Sequence, residues 1–415
     1  MKKIVEIVVV AMALMALLCS CGDSNDDATS VISDEYKKLT SASELAEDAK
    51  QAIQKEYDTF SLNCTAPDES EFSDTYYRID YDWNVWTEDE CKKKMQDALS
   101  LENEDYQEKC LDIVKEDAGG DIGEVSACYY GSNTAIFAIS PTAYCTYFIR
   151  EPMVSLQTAG REQVGCYRIN EGDSIEGISY SLSGEDYSLT DAVDYCDQYL
   201  ASLQDVLGFE SVELRKIYVY EITEDEDVLN AGDHMYFIFY SKKLEGVNLE
   251  FDCTTIWTPE LPAFGEPYIL IQMYAPNQVS QWRDNSTKHI TSKEQTDGVL
   301  PLSYALDKVE SEVAEYSNYS ISSIELNYAT LQWQWDSSTF YYEPYWCIRL
   351  ESGVPKGGAA NMDWDPCTMA YVNAVSGECY VTSDIAGSLI GMEQYFENPE
   401  WDPETNPEAQ WRKIE

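Results

Sequence analysis

Two histidines, thirteen cysteines and 76 acidic residues are the side chains with which this 415-residue chain could do chemistry. The histidines, His234 and His289, lie in different predicted elements, the first at the start of a strand and the second in a polar loop. Neither belongs to an H-E-x-x-H motif, and the chain has no G-x-S-x-G nucleophile turn. The sequence therefore argues against histidine-dependent catalysis, although a triad can assemble from distant segments.

The carboxylates are too numerous to identify a site by their presence alone. Among 76 acidic residues, some pair will stand at the separation that glycoside hydrolases use. Glu224–Asp227 and the pair Asp363 and Asp365 offer hard oxygen ligands, but they lack the spacing and the glycine of a calcium-binding EF-hand. We interpret both as solvated loops and predict no metal site. Phosphate-binding glycine motifs are absent from the sequence, so we expect no nucleotide or other cofactor.

Tryptophans in the C-terminal third offer a different kind of site. Trp333, Trp335 and Trp346 fall within or beside predicted strands. Exposed rings could stack on sugars or on a peptide, which would make this region a binding module. Rings at alternate strand positions also fill hydrophobic cores, so both roles stay open.

Cys21 ends an N-terminal segment with the composition of an export signal. Two lysines precede residues 4–18, which are apolar apart from one glutamate. These 15 residues are fewer than the roughly 20 that span a bilayer. The sequence Leu18–Cys21 resembles the bacterial lipobox, with an aliphatic residue three before the cysteine and a small one just before it. The resemblance implies cleavage after Ser20 and a lipid on Cys21, with an ordinary secreted protein or an uncleaved anchor as the alternatives.

The net charge limits the partners. With 27 basic and 76 acidic residues the chain carries a charge of −49, which repels phosphate backbones, so we expect no nucleic-acid binding. The expected partners are the membrane, through the N-terminal lipid, and a membrane-protein or cell-wall partner. Removing Cys19 and Cys21 from the thirteen cysteines leaves eleven, an odd number for which the sequence favours no particular disulfide pairing.

The order of predicted elements indicates an α+β protein. We expect a signal peptide over 1–20, an acidic flexible tether over 21–40 and an N-terminal α+β region over 41–155. That region should contain helices over 42–57 and 104–116 and a meander of strands after residue 125. A loop is predicted over 155–186 and an acidic C-terminal tail over 385–415.

A weak internal repeat organises the rest of the chain. Two amphipathic helices, beginning at Ser188 and Pro301, are each followed by several predicted strands. Their apolar and acidic positions coincide at an offset of 113, pairing Leu189 with Leu302, Ala192 with Ala305, and Asp194 with Asp307. One helix on an antiparallel sheet would bury such a face, which predicts one module over 186–280 and a second over 299–384.

The second module resembles the PepSY-like modules of bacterial exported proteins. The resemblance lies in the helix, two strands and a closing V-x-A-x-x-G-E hairpin matched by Val372, Ala374, Gly377 and Glu378. The glycine suits a turn that requires positive φ. The tandem layout is also similar to that of uncharacterised Firmicutes surface lipoproteins and, distantly, to the YycH and YycI regulators of a cell-wall sensor kinase. These resemblances imply no catalytic residues. They imply a non-catalytic binding or regulatory lipoprotein on the extracytoplasmic face of the cell membrane, with a carbohydrate- or peptide-binding protein or a carboxylate-based hydrolase as alternatives.

Overall fold

The computed structural model describes parts of the chain that form two large sheets, a two-stranded sheet and three helices, together with the helical residues 89, 93 and 96–98. The described residues are 36–82, 89, 93, 96–98, 107–108, 125–130, 134–139, 144–149, 160–225, 229–250, 268–284, 289–313, 319–330, 340–352, 368–383 and 388–390. The signal peptide, the first part of the tether and all of the acidic tail except residues 388–390 lie outside these residues.

Strands dominate the described part of the chain, and the protein belongs to the α+β class. The helices are α1 (Ala42–Ala52), α2 (Leu189–Leu207) and α3 (Leu302–Glu312). The strands of the first half are β1 (Phe60–Leu62), β2 (Tyr77–Asp82), β3 (Gln107–Glu108), β4 (Val125–Tyr130), β5 (Thr134–Ile139), β6 (Tyr144–Ile149), β7 (Arg161–Arg168), β8 (Ser179–Leu182) and β9 (Glu185–Ser188). Those of the second half are β10 (Ser211–Ile222), β11 (His234–Leu244), β12 (Val247–Asn248), β13 (Tyr268–Met273), β14 (Gln281–Asp284), β15 (His289–Gln295), β16 (Tyr319–Ala329), β17 (Phe340–Ser352), β18 (Thr368–Asn373), β19 (Cys379–Ser383) and β20 (Ser388–Ile390).

Helix α2 begins and ends at residues whose side chains favour those positions. The Ser188 hydroxyl accepts a hydrogen bond from the backbone N–H of Asp191 at 3.0 Å, which satisfies one of the unpaired donors of the first turn. Gly208 follows the last turn with φ of 72°, a left-handed conformation that suits glycine. The buried face contains the apolar residues expected from the sequence, among them Leu189, Ala192 and Leu200.

The first sheet, which we call the α2 sheet, has ten strands in the order β3-β4-β5-β6-β14-β13-β11-β10-β7, with β12 paired to β11. Its pairings are antiparallel. Helix α2 packs on one face and shares a core with β10, β11, β13 and β14. The meander β4-β5-β6 confirms the strands expected after residue 125.

The second sheet, the α3 sheet, has eight strands. Strands β1-β16-β17-β18-β19-β20 follow one another, and β2 pairs with both β15 and β17. Helices α1 and α3 pack together on one face of this sheet and share one core with it. The strands of the predicted region 41–155 are therefore divided between the two sheets. The domain boundaries drawn from the sequence stay predictions.

Several expectations about individual elements were wrong. His289, expected in a polar loop, begins strand β15, and residues 388–390, expected in the acidic tail, form strand β20. The segment predicted as a loop over 155–186 contains β7, β8 and the start of β9, whose polar side chains hid the strand pattern. Gln107–Glu108, predicted to be helical, form a strand against β4. Helix α1 ends at Ala52 instead of residue 57, because the chain turns where the amide of Lys55 bonds to the carbonyl of Ala52.

The internal repeat has a counterpart in the structure. Helices α2 and α3 begin at the paired residues Leu189 and Leu302, and both side chains are fully buried. After α2, strands β10, β11, β13 and β14 lie side by side in antiparallel order. After α3, strands β16 to β19 do the same. Both halves therefore contain one helix followed by a four-stranded antiparallel meander.

Buried charge joins the two sheets. Arg215 of β10 donates a hydrogen bond to the carboxylate of Glu325 on β16. Asn170 donates to the other oxygen of that carboxylate at 2.8 Å. Arg349 of β17 lies with its Nε 3.3 Å from Oε1 of Glu171. Arg215 and Arg349 are only 3% and 2% exposed, so each needs its carboxylate to offset the loss of hydration.

Backbone contacts continue this junction. Leu249 forms an isolated parallel bridge with Tyr328 of β16. The amide of Glu250 donates to the carbonyl of Tyr328 at 2.8 Å. Val247 and Leu249 are buried in the core of the α3 sheet, although they follow a strand of the α2 sheet. The two sheets thus share both a hydrophobic contact and a polar one.

The hairpin between β18 and β19 fits the V-x-A-x-x-G-E pattern. Gly377 has φ of 79°, as expected for this turn. The Asn373 side chain accepts hydrogen bonds from the amides of Val375 and Ser376 at 2.8 and 2.9 Å, which fixes the turn. The hydroxyl of Tyr304 on α3 donates to the carbonyl of Gly377 at 3.2 Å, so the turn also contacts the helix.

Replacing Gly377 with alanine should destabilise the protein by about 2–4 kcal/mol. The left-handed backbone conformation costs alanine about 1–2 kcal/mol. The added methyl group would also clash with the Tyr304 hydroxyl. Gly184→Ala is the matched control, since Gly184 has φ of 80° but no atom within 4 Å of the added carbon. Urea unfolding of both variants measures the difference. Equal losses would show that the Tyr304 contact adds nothing.

Separating Arg215 from Glu325 should cost about 3–5 kcal/mol, because either single change, Arg215→Met or Glu325→Gln, leaves charge buried at the junction. The double variant should recover part of that loss, giving a coupling energy of about 2 kcal/mol in a double-mutant cycle. The half-exposed pair Lys308 and Glu312, 2.9 Å apart on α3, should show a coupling of only about 0.3–0.5 kcal/mol. Similar coupling in the two cycles would contradict a structural role for the buried pair.

Candidate binding cleft at the end of the tether

A polar cleft of about 220 Å³ lies where the chain enters the α3 sheet. It opens between the start of α1, the residues before β2 and the residues after β15. We call it the tether-side cleft. Its lining residues are Leu39, Thr40, Leu45, Ser73, Asp74, Thr75, Tyr76, Gln295, Thr296, Asp297 and Gly298.

One wall of the cleft is the end of the segment that the sequence assigned to the tether. Leu39 and Val299 exchange two backbone hydrogen bonds of 2.8 and 2.9 Å. Upstream, the Tyr36 hydroxyl donates to Asp307 on α3, and its ring packs edge-on against Tyr304 at 5.2 Å. Residues 36–40 are thus fixed to the fold. The flexible tether predicted over 21–40 therefore does not include residues 36–40.

Glycine lets this wall approach closely. Gly298 has φ of 111°, and a Cβ atom there would lie 2.6 Å from the carbonyl oxygen of Leu39. Any larger residue would push the Leu39 strand away from Val299. The close approach therefore depends on both the backbone conformation and the small size of Gly298.

The start of α1 places carboxylates beside the cleft. The Ser41 hydroxyl accepts from the Glu44 amide at 3.3 Å, and the Glu44 carboxylate accepts from the Thr40 amide at 3.0 Å. This last bond is the main reason that the pKa of Glu44 lies below its usual value. Asp74 accepts from the Ala42 amide at 3.0 Å, so a second carboxylate caps the same helix.

Asp297 carries the opposite rim. Its Oδ1 accepts a hydrogen bond from Nζ of Lys38 at 2.7 Å, and this bond lowers the pKa of Asp297. The Asp297 side chain is 81% exposed, whereas that of Lys38 is 23% exposed. An ion pair with one partner so open to water contributes at most about 1 kcal/mol to stability.

The cleft can therefore hold a small polar or cationic group. Its floor is apolar, formed by buried Leu45 and Tyr76, and its rim carries hydroxyls, an amide and two carboxylates. Typical small-molecule pockets have volumes of about 300–1,000 Å³, so this cleft suits a group the size of a side chain.

The structure places Trp346 in the core. The side chain is fully buried, its indole N–H donates to the carbonyl of Leu300 at 2.8 Å, and its ring packs against Phe72 at 5.9 Å. A ring in this position presents no face to a ligand in solvent. Trp333 and Trp335 lie outside the described residues, as does Cys21, so stacking at those two rings and lipidation stay predictions.

The other candidate groups lie apart from the cleft. His234 starts β11, where its Nδ1 is 3.3 Å from the carbonyl oxygen of Ser181, and only the backbone of His289 is described. Asp225 accepts from the Ala231 amide at 2.8 Å, which makes it part of a loop. Asp363 and Asp365 fall outside the described residues. Across the described residues, no three His, Cys, Asp or Glu side chains converge as metal ligands would.

The residues of the cleft were not predicted from the sequence. Asp74 caps a helix that starts 32 residues earlier, and Asp297 pairs with a lysine 259 residues away. No local motif marks such partners. The Ser41 and Glu44 spacing was the one available signal, because it predicts a helix start.

Membrane association through a helix has no counterpart in the described residues. None of the helices there combines the length and the apolar composition needed to cross a bilayer.

Comparison with known proteins gives little. No protein-family model matches the chain. No curated protein matches it either. Among solved structures, the chain is similar to the crystal structure of an uncharacterized protein from Eubacterium rectale, with 12% sequence identity and a TM-score of 0.48. The match covers 80% of this chain and 98% of that chain, and at this TM-score it carries no argument about fold or function.

Asp297 should make the stability of the protein depend on pH in the acid range. Because its folded pKa lies below the ordinary 3.8, ionised Asp297 stabilises the fold above that pH, and the contribution is lost as the pH falls through the folded pKa. Asp297→Asn should therefore be slightly less stable than the wild type at pH 7 and equally stable near pH 2. Urea unfolding from pH 2 to pH 7 tests this. A difference that persists at pH 2 would assign the effect to something other than the Lys38 pair.

Proposed function

We propose that this protein is a membrane-anchored extracytoplasmic lipoprotein with a non-catalytic binding or regulatory role at the cell surface. The observation that carries the proposal is the N-terminal segment, in which a short apolar run ends in the lipobox-like Leu18–Cys21. A lipid on Cys21 would anchor the chain, and the remaining residues would be exported with it.

The docked end of the tether supports this arrangement. Residues 22–35 separate Cys21 from Tyr36, the first described residue, whose hydroxyl donates to Asp307 on helix α3. At 3.3–3.6 Å per residue, this link reaches at most about 50 Å. The folded part would therefore stay close to the bilayer surface, where it could meet a membrane protein or a cell-wall component.

The repeated architecture supports a binding role without supplying a partner. Two helices, each followed by a four-stranded meander, fit the tandem PepSY-like modules that the sequence resembles. The turn at Gly377 and its contact with α3 agree with that resemblance. We extend the resemblance to a regulatory role on the extracytoplasmic face of the membrane.

A second candidate function is capture of a carbohydrate or peptide. The specific observation in its favour is the tether-side cleft, which has hydroxyl and carboxylate groups around a small apolar floor. Both functions need the same anchor and differ in the partner.

The anchor is tested by expressing the full chain in a bacterial host that acylates lipoproteins. We expect the protein in the membrane fraction, with a mass that shows cleavage after Ser20 and acylation of the new N-terminal cysteine. Cys21→Ser should abolish both. Cys19→Ser, two residues away, is the matched control and should leave both unchanged. An unmodified Cys21 in the mature product, or retention of the protein in the cytosol, would overturn the proposal.

A further inference from the structure

We propose that the tether-side cleft binds a primary ammonium group, such as a lysine side chain of a peptide, in competition with Lys38 of this chain. The inference names a ligand class for the binding role above and rests on that role. It depends on the cleft and on the residue that already occupies its rim.

Lys38 shows which chemistry the rim accepts. Its ammonium lies 2.7 Å from Oδ1 of Asp297, and the lysine side chain is largely buried while the carboxylate is 81% exposed. The Asp297 carboxylate is therefore open to solvent, and the ammonium group of a ligand can reach it. An incoming ammonium would replace Lys38 with another donor of the same geometry and charge.

Other oxygen atoms of the cleft can accept hydrogen bonds from the two ammonium N–H donors that Asp297 leaves free. An ammonium has three N–H donors and no acceptor, so it needs several oxygens around it. Asp74 uses Oδ1 to cap α1. Within the described part of the chain, the other oxygen of Asp74 has no hydrogen-bond partner. Ser73, Thr75 and Thr296 also line the cleft. The Ser73 hydroxyl exchanges hydrogen bonds with the backbone of Thr75 and the Thr296 hydroxyl donates to the carbonyl of Tyr76, so each keeps an oxygen lone pair that can accept.

Size and charge narrow the ligand class further. A volume of about 220 Å³ has room for a butylammonium chain over the apolar floor of Leu45 and Tyr76. Anionic ligands would face two carboxylates and a net charge of −49. A cationic side chain with an aliphatic stem fits both conditions.

Binding would loosen the docked end of the tether. Lys38 adjoins Leu39, whose two hydrogen bonds to Val299 hold the segment to the sheet. Displacing Lys38 removes one of the contacts that fix residues 36–40. Because coupling between two binding events is reciprocal, anything that undocks this segment should also favour the ligand.

The test uses the full-length chain in detergent micelles and two probes with the same four-carbon side chain, Nα-acetyl-lysine amide and Nα-acetyl-norleucine amide, of which only the first carries an ammonium group. Chemical-shift titration should detect binding of the lysine probe only. Lys38→Met should raise its affinity by up to about fivefold, the equivalent of one exposed ion pair. Asp297→Asn and Asp74→Asn should each lower the affinity about tenfold, and the asparagine introduced by Asp74→Asn can still cap α1.

Two controls separate the cleft from the general acidity of the protein. Lys50→Met removes an exposed lysine of α1 and Glu162→Gln removes an exposed acid of β7, so neither should change the affinity. Hydrogen exchange at the Leu39 amide should become faster when the lysine probe binds to the wild type. Equal effects of Glu162→Gln and Asp297→Asn, equal binding of both probes, or unchanged affinity in Lys38→Met would overturn the inference. Neither the probe titrations nor the hydrogen-exchange measurement depends on acylation of Cys21. The ammonium site can therefore be confirmed or overturned even if the anchor proposal fails.

Discussion

The contact on which the arrangement of the two sheets depends is the buried pairing of arginines with glutamates between them. Arg215 reaches from the α2 sheet to Glu325, and Arg349 reaches from the α3 sheet to Glu171. A shift of one sheet against the other would separate these buried charges from their partners. That shift is costly, because each ion pair offsets the hydration that its charges lost on burial. The junction therefore specifies one relative position of the sheets, which an apolar contact between Leu249 and Tyr328 alone would define less sharply.

The sequence was most informative where structure is set by neighbours along the chain. The spacing of Leu189 and Ala192 predicted α2 correctly, since helical periodicity acts over a few residues. The positive φ of Gly377 was also predictable, because it is a property of one turn. The strand β7 was missed, since its exposed polar side chains lack the alternation that marks a half-buried strand.

The cleft and the junction could not be predicted for a different reason. Their partners are separated by tens to hundreds of residues, as with Asp74 on α1 and Lys38 beside Asp297. In a chain with 76 acidic residues, the choice of which carboxylate meets which cation is made by the topology of the sheets. For Trp346 the sequence allowed both a binding role and a core role. The structure decides between them, because the ring packs against Phe72 in the core.

The parallel pairing of β1 with β16 has a consequence for how the molecule is made. Phe60 lies beside Tyr319, so the α3 sheet cannot close until most of the polypeptide has been synthesised. The α2 sheet uses strands that all emerge before residue 285. Contacts between such remote segments form slowly, because a long loop must close first. During synthesis, β1 and β2 therefore stay without their partner strands until β15, β16 and β17 have been made.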